Sequence, residues 1–171
     1  MSAVTVESLE KAYDGTPVIE TLNLDVPAGS FVTIVGASGC GKSTFLRLLL
    51  GQEQPTRGQI LVDDAPLPPE PSPERGIVFQ RYSVFPHLSV LENVILGLEF
   101  QAAPLTARLF GTDRRRAEEE AGCLIDAVGL NHVRDAPPAS LSGGMQQRLA
   151  ITQALILKPK ILLLDLSLIH I

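Results

Sequence analysis

The octapeptide Gly36-Ala37-Ser38-Gly39-Cys40-Gly41-Lys42-Ser43 constrains this chain more than any other feature of its sequence. It fits GxxxxGK[ST] and lies between an apolar run, Phe31 to Val35, and a helical pattern from about Lys42 to Leu50, with Gly51 placed to end the helix. The spacing has a chemical meaning. Glycines let successive backbone N–H groups turn inward around a phosphate, and the following helix directs its positive end to the same place. Lys42 adds a full charge, and the Ser43 hydroxyl can ligate Mg²⁺. The nearly continuous apolar character of Phe31–Val35 reads as a strand buried on both faces. The expected class is therefore α/β.

Around this centre the chain changes texture twice. Val4 to Leu9 and then Leu22, Leu24 and Val26 alternate as half-buried strands do, with turns at Asp14-Gly15 and Pro27-Ala28-Gly29, so the N-terminal part reads as antiparallel sheet. Ile60–Val62 and Gly76–Phe79 read as further strands. Between them, five of the eight residues from Pro66 to Pro73 are proline, which excludes helix there. After Gln80 the signals are helical. Ser89 with Glu92 three residues on is a capping box, opening a helix to about Leu98. Thr112-Asp113 starts another, with Leu124, Ile125 and Val128 on its apolar face and the charge run Asp113–Glu120 as a solvated face. The stretch from about residue 81 to 139 is expected to be a helical subdomain. Ser142 caps a helix carrying Met145, Leu149, Leu155 and Ile156, and Ile161–Leu164 is a last buried strand.

Composition removes several function classes. Fourteen basic against nineteen acidic side chains give a net charge of -5, which argues against a broad grip on nucleic acid or anionic lipid. Cys40 and Cys123 suit a reducing compartment, and with His87, His132 and His170 they show no zinc-site spacing. No apolar run approaches the about 20 residues that span a bilayer. A cytosolic or membrane-contacting protein is expected.

Two further constellations join the glycine loop. Asp165 ends the Ile161–Leu164 strand, where a carboxylate can hold Mg²⁺ directly or through water, or simply cap the next turn. Gln80 closes another strand, where its amide can reach the metal or an attacking water. In Leu141-Ser142-Gly143-Gly144-Met145-Gln146, two glycines follow a Ser N-cap and expose bare N–H groups at a helix start. This makes a second candidate phosphate site, one suited to a nucleotide held by another copy of the chain.

With these motifs in place the sequence resembles the ATP-binding subunits of ABC transporters, from about Val4 to Asp165. The resemblance implies an α/β P-loop NTPase core with an N-terminal antiparallel β subdomain and a helical subdomain. It assigns ATP contacts to Gly36, Ala37, Ser38, Gly39, Cys40, Gly41, Lys42, Ser43 and Thr44, and Mg²⁺ to Ser43, Gln80 and Asp165. Gln80 matches the family's Q-loop glutamine, Asp165 its Walker B aspartate, and Ser142, Gly143 and Gly144 its signature sequence. Tyr13 takes the place of the aromatic residue that stacks on adenine. Phe31–Arg47, Gly76–Phe85 and Ile151–Leu164 look most like the importers of nitrate, sulfonates or taurine. Implied partners are a second ATP-binding subunit and membrane permease subunits docked through the helical subdomain, with Tyr82, Phe85 and Leu88 as candidate contacts. The implied location is the cytoplasmic face of the inner membrane.

The chain departs from the family pattern after Asp165. Leu166 stands where the family has the glutamate that polarises the attacking water, so hydrolysis is expected to be defective. Back-translated as CTG-TCT-CTT-ATA-CAC-ATC, residues 166–171 look like a transposon-end adapter, and the ATP-binding domain is expected to be residues 1–165, cut short, followed by a non-native tail. In the family the next strand inserts between the phosphate-loop strand and the Walker B strand, so its loss is expected to leave unpaired, aggregation-prone edges. A non-catalytic ATP-binding regulator and a DNA-repair-type ATPase of the same superfamily are the alternatives. The second needs coiled-coil heptads between Ser43 and Ser142, and none are present.

Overall fold

The computed structural model describes residues 4–79, 84–102 and 108–165. The chain divides into two compact units, Met1–Arg75 and Gly76–Ile171.

The first unit is built on a four-stranded sheet of order β2-β1-β3-β4, formed by β1 (Val4–Tyr13), β2 (Thr16–Val26), β3 (Arg57–Val62) and β4 (Ala65–Pro66). β1 and β2 form a hairpin from Val4↔Val26 to Tyr13↔Thr16, turning at Asp14-Gly15 as expected. β1 also pairs antiparallel with β3, from Val4↔Val62 to Glu10↔Arg57. Both ladders slip near Ser8, whose φ is +45°. Gly58 faces this bulge with φ +76°, and a Cβ there would lie 2.2 Å from the Ser8 carbonyl oxygen, so only glycine fits. Val4, Val6, Leu9 and Ile60 are the buried positions of the sheet. Helix α1 (Lys42–Leu50) buries Phe45, Leu48 and Leu49 at the i, i+3, i+4 spacing of one face, and Gly51 closes it by donating to the Arg47 and Leu48 carbonyls. The proline-rich loop is tied down by Arg75, 8% exposed, whose guanidinium donates to the carbonyls of Leu49 (3.5 Å), Pro68 (3.2 Å) and Glu70.

One expectation fails in this unit. Phe31–Val35 is not a buried strand. The segment forms no strand, and Phe31 is 85% and Val35 82% exposed. A strand exists through its ladder of paired N–H and C=O groups. Among the described residues the four strands of this sheet pair with one another and none pairs with residues 31–35.

The second unit contains β5 (Arg75–Val78) paired with β6 (Ile161–Leu164), and helices α2 (Val90–Ala102), α3 (Gly111–Ala127) and α4 (Gly143–Leu155). Of β6 only Leu163 is fully buried, so that strand is less enclosed than its apolar run suggested. The helices share one core of Val90, Val94, Ile95, Ala121, Ile125, Leu130, Leu149 and Ile156, with Leu124, Val128 and Met145 packed against it. Leu155, expected on the apolar face of α4, stays 36% exposed. The charge run on α3 is more than a solvated face. Arg114 donates to Glu118 (2.7 Å) and to Glu99 (2.7 Å), and Glu99 is 7% exposed on α2.

The capping box forms as expected. The Ser89 N–H donates to the Glu92 carboxylate (2.8 Å), and the Glu92 N–H donates to the Ser89 hydroxyl (3.2 Å). The Ser89 N–H first, and the Ser89 hydroxyl after it, hold the Glu92 carboxyl below its usual range. A depressed carboxylate stabilises the fold above its unfolded pKa, and that contribution is lost as pH falls through the folded value. Wild type is therefore expected to lose more stability between about pH 5 and pH 3 than Glu92→Gln does, as read by urea denaturation at each pH. Equal losses in the two proteins would refute the assignment.

Candidate functional site

The glycine loop Gly36–Ser43 runs into the N-terminus of α1, and residues 36–40 are exposed. Gly41 is the N-cap, with φ +93°, and a Cβ there would sit 3.0 Å from the Val18 carbonyl oxygen. The loop thus closes against β2, two residues along that strand from Thr16, the cross-strand partner of Tyr13. Lys42 folds back over the loop. Its ammonium donates to the carbonyls of Gly36 (2.8 Å) and Ala37 (2.6 Å) and lies 3.6 Å from the Cys40 sulfur. A compact loop with a lysine held over its own carbonyls is shaped to exchange those contacts for phosphate oxygens. Ser43 and Thr44 occupy the first turn of α1 beneath it.

Tyr13 ends β1, 39% exposed, with its hydroxyl donating to Glu53 and the Lys11 ammonium 4.9 Å from its ring centroid. Sequence reading missed this support. Lys11, Arg47 and Glu53 lie on three different segments, and no local pattern announces that they meet.

In the second unit, Asp165 follows β6 directly, half-buried, its N–H donating to the Val78 carbonyl (2.9 Å). Ser142 is the N-cap of α4, and its hydroxyl accepts from the Met145 N–H (3.4 Å). Gly143 and Gly144 are exposed, and a Cβ at either would meet nothing within 4 Å, so the start of this helix stands open. Gln146 donates to the Pro138 carbonyl (3.0 Å) and Arg148 to the Val128 carbonyl (2.7 Å), which fix the turn before the helix and the helix itself against their neighbours.

Asn93 was also missed. It is 1% exposed and holds the loop before α2. Its side chain accepts from the Phe85 N–H (2.8 Å) and donates to the carbonyls of Phe85 (3.0 Å), Leu88 (3.1 Å) and Ser89 (2.9 Å). Gln153 of α4 donates to Asn93 in turn. An asparagine among Val90, Leu91, Val94 and Ile95 was the available signal, since a polar residue on an apolar face needs a buried partner. Phe85 stays 40% exposed, edge-on to His87. Gln80, Tyr82 and Leu166 lie outside the described residues.

The sequence matches the profile of the ABC transporter family over residues 19–166. The chain belongs to the ABC transporter family. Among curated relatives, the spermidine/putrescine import ATP-binding protein PotA of Vibrio cholerae is 42% identical over 96% of this chain and 42% of its own length. PotA of Bacillus anthracis is 40% identical over 95% of this chain and 47% of its own length. A putative ATP-binding protein of Brucella abortus is 42% identical over 95% of this chain and 58% of its own length. The chain thus spans about half the length of the curated relatives it matches. Among solved structures, cbiO1 of Clostridium perfringens, part of the ABC transporter complex cbiONQ, superimposes with a TM-score of 0.79 at 30% identity, covering 94% of this chain and 64% of that one. MJ1267, an ATP-binding cassette of an ABC transporter, gives 0.80 at 22% identity, covering 95% of this chain and 68% of that one, and so shares the fold. The ABC ATPase fold, with its antiparallel β subdomain and helices, agrees with the class expected from sequence. Within this ABC chain no helix among the described residues is long and apolar enough to cross a membrane.

Proposed function

We propose that this chain is the ATP-binding part of an importer that couples ATP binding and hydrolysis to uptake of a small solute. The observation that carries the reading is the exposed glycine loop closed by Lys42 at the start of α1. Lys42 and the loop N–H groups bind the phosphates, and Tyr13 supports the base. Ser43 and Asp165 are the oxygen donors for Mg²⁺, an ion that takes one or two protein oxygens and fills its shell from phosphate and water. When bound, it neutralises charge on the phosphates. Gln80 senses the γ-phosphate. Ser142, Gly143 and Gly144 close on ATP held by a second copy, because an open helix N-terminus favours an anion. The helical region about 81–139 docks permease subunits through the loop at Phe85, which places the protein on the cytoplasmic face of the inner membrane. No nucleic acid is involved.

For the solute, three sequence segments resemble importers of nitrate, sulfonates or taurine, whereas relatives matched over 95% or more of the chain are named for spermidine/putrescine. The longer match favours a polyamine, and the small anion is the second reading. Uptake of labelled putrescine and taurine in cells with and without the gene separates them. For the site itself, Lys42→Ala is expected to weaken MgATP binding about tenfold or more, since charge-assisted contacts of this kind contribute roughly 1.5 to 3 kcal/mol. Equal affinity in calorimetric titration of the two proteins would sink the assignment.

A further inference from the structure

Three side chains from three segments of the first unit converge beside Tyr13. The Glu53 carboxylate, just past α1, accepts from the Tyr13 hydroxyl, pairs with Lys11 of β1 (3.2 Å) and lies 3.5 Å from Arg47 of α1. Lys11 donates as well to the Gln54 carbonyl (2.8 Å) and sits against the Tyr13 ring, 4.9 Å from its centroid. The Lys11 and Glu53 side chains are only 14% and 21% exposed, unlike an ordinary surface ion pair, so the pairing is screened little by solvent. The Tyr13 hydroxyl in particular holds the Glu53 carboxyl below its usual range.

We infer that Glu53 is a positioning residue for the nucleotide base: it fixes the Tyr13 ring at one angle and ties it to the helix that follows the phosphate loop. This rests on the reading of Tyr13 as the platform for the base. An unanchored tyrosine at a hairpin end samples several rotamers, and a base stacking on it must freeze them on binding. Here the hydroxyl is held at one end by Glu53 and the Lys11 ammonium lies over the ring, 4.9 Å from its centroid, so the ring is restrained at two points while 39% of the residue stays exposed. Glu53 meets Arg47 in the second turn of α1, so the same carboxylate links the ring to the helix that the glycine loop begins. A shift of the ring relative to the loop would strain a ligand that bridges both. Glu53 therefore acts on the base end of the ligand and not on the phosphates.

That separation defines the test. Affinities for MgATP and for magnesium tripolyphosphate, which carries the phosphates without a base, are measured by calorimetry on the full chain and its variants. Glu53→Ala and Tyr13→Phe are each expected to weaken MgATP binding about fivefold, less than loss of a direct charged contact because the bond orders the ring and does not touch the ligand, with tripolyphosphate affinity unchanged. The double variant is expected to be no weaker than either single one, because both remove the same bond. Glu53→Gln keeps an acceptor for the hydroxyl and is expected to recover most of the loss. Tyr13→Ala reports on the underlying reading, and is expected to lower MgATP affinity alone. If Tyr13→Ala does so while Glu53→Ala, Glu53→Gln and Tyr13→Phe leave the ratio of the two affinities at the wild-type value, the platform stands and the positioning role is overturned. Parallel losses for both ligands in Glu53→Ala, with no rescue by Glu53→Gln, would likewise overturn it, since they mark a general disturbance of α1. An unchanged ratio in Tyr13→Ala would remove the platform itself. Should Glu53→Ala fail to fold, Tyr13→Phe and Glu53→Gln carry the same comparison.

Discussion

Asn93→Ala is expected to destabilise the chain by about 3 kcal/mol or more, the largest stability loss of any single substitution considered, because it takes the side-chain partner from the part-buried Phe85 N–H and Leu88 carbonyl at once and leaves a cavity in place of a fully enclosed side chain. The side chain is 1% exposed and serves the N–H of Phe85 and the carbonyl of Leu88, while the Phe85 carbonyl that it also meets keeps the Leu88 N–H (3.2 Å). Each buried group left unpaired costs roughly 1 to 3 kcal/mol, and the cavity adds to this. Asn93→Asp separates the contributions. It keeps an acceptor for the Phe85 N–H but turns the donor that meets Phe85, Leu88 and Ser89 into a second acceptor facing carbonyls, and so is expected to be at least as damaging as alanine. Urea denaturation of the full chain followed by circular dichroism measures both. A loss under about 1 kcal/mol in either variant would show that water replaces the side chain without penalty. A milder variant, Gln153→Ala, removes only the donor from α4 and is expected to cost about 1 kcal/mol. The functional consequence follows from position. The loop 84–88 carries Phe85, proposed to meet a permease, and Asn93 and Gln153 join that loop to the helix whose N-terminus bears Ser142, Gly143 and Gly144. A force on the loop thus has a hydrogen-bonded route to α4.

What the sequence made legible and what it hid divide along the distance over which the physics acts. The Gly36–Ser43 loop, α1 with its Gly51 stop, the Ser89–Glu92 capping box, the Asp14-Gly15 turn and the Ser142 cap all rest on interactions within about one turn of chain, and each was readable from residue type and spacing. The misreading of Phe31–Val35 has the opposite origin. Apolar run length says that a segment can be buried, but a strand also needs partners, and partners are a property of the whole sheet. The Tyr13–Glu53 contact joins residues 40 apart, and the Asn93–Gln153 contact joins residues 60 apart. No periodicity encodes such meetings. Arg114 shows the intermediate case: its pairing with Glu118 at i+4 is a local pattern, while its bond to buried Glu99 on the neighbouring helix emerges only when α2 and α3 pack.

Phosphate release at saturating MgATP is expected to run on the order of a hundredfold to a thousandfold below that of an ABC ATPase with glutamate after its Walker B aspartate. A missing transition-state contact of this kind is worth roughly 2.7 to 4 kcal/mol. Hydrolysis needs a water held in line with the γ-phosphate, and an apolar side chain can neither accept a proton from it nor orient it. The residue after Asp165 is Leu166. Binding and hydrolysis should therefore separate in this chain, since Lys42 and the glycine loop, proposed to hold the phosphates, are in place. Leu166→Glu is not expected to close the gap, because it supplies only the carboxylate. The segment that leads into the glycine loop, Phe31–Val35, lies exposed and forms no strand, so it brings the loop no strand ladder, and the loop's support is on the side of α1, where Gly41 lies too close to the Val18 carbonyl for a Cβ to fit freely. The second requirement proposed above, Ser142–Gly144 from another copy, would depend on dimerisation at the concentration assayed. The assay compares the chain, its Leu166→Glu variant and a reference ABC ATPase under the same conditions. Turnover by the unmodified chain within tenfold of the reference would show that Leu166 is not disabling. Recovery to that level by the single substitution would show instead that a carboxylate was all the site lacked, and that the exposed Phe31–Val35 segment holds the loop well enough for catalysis.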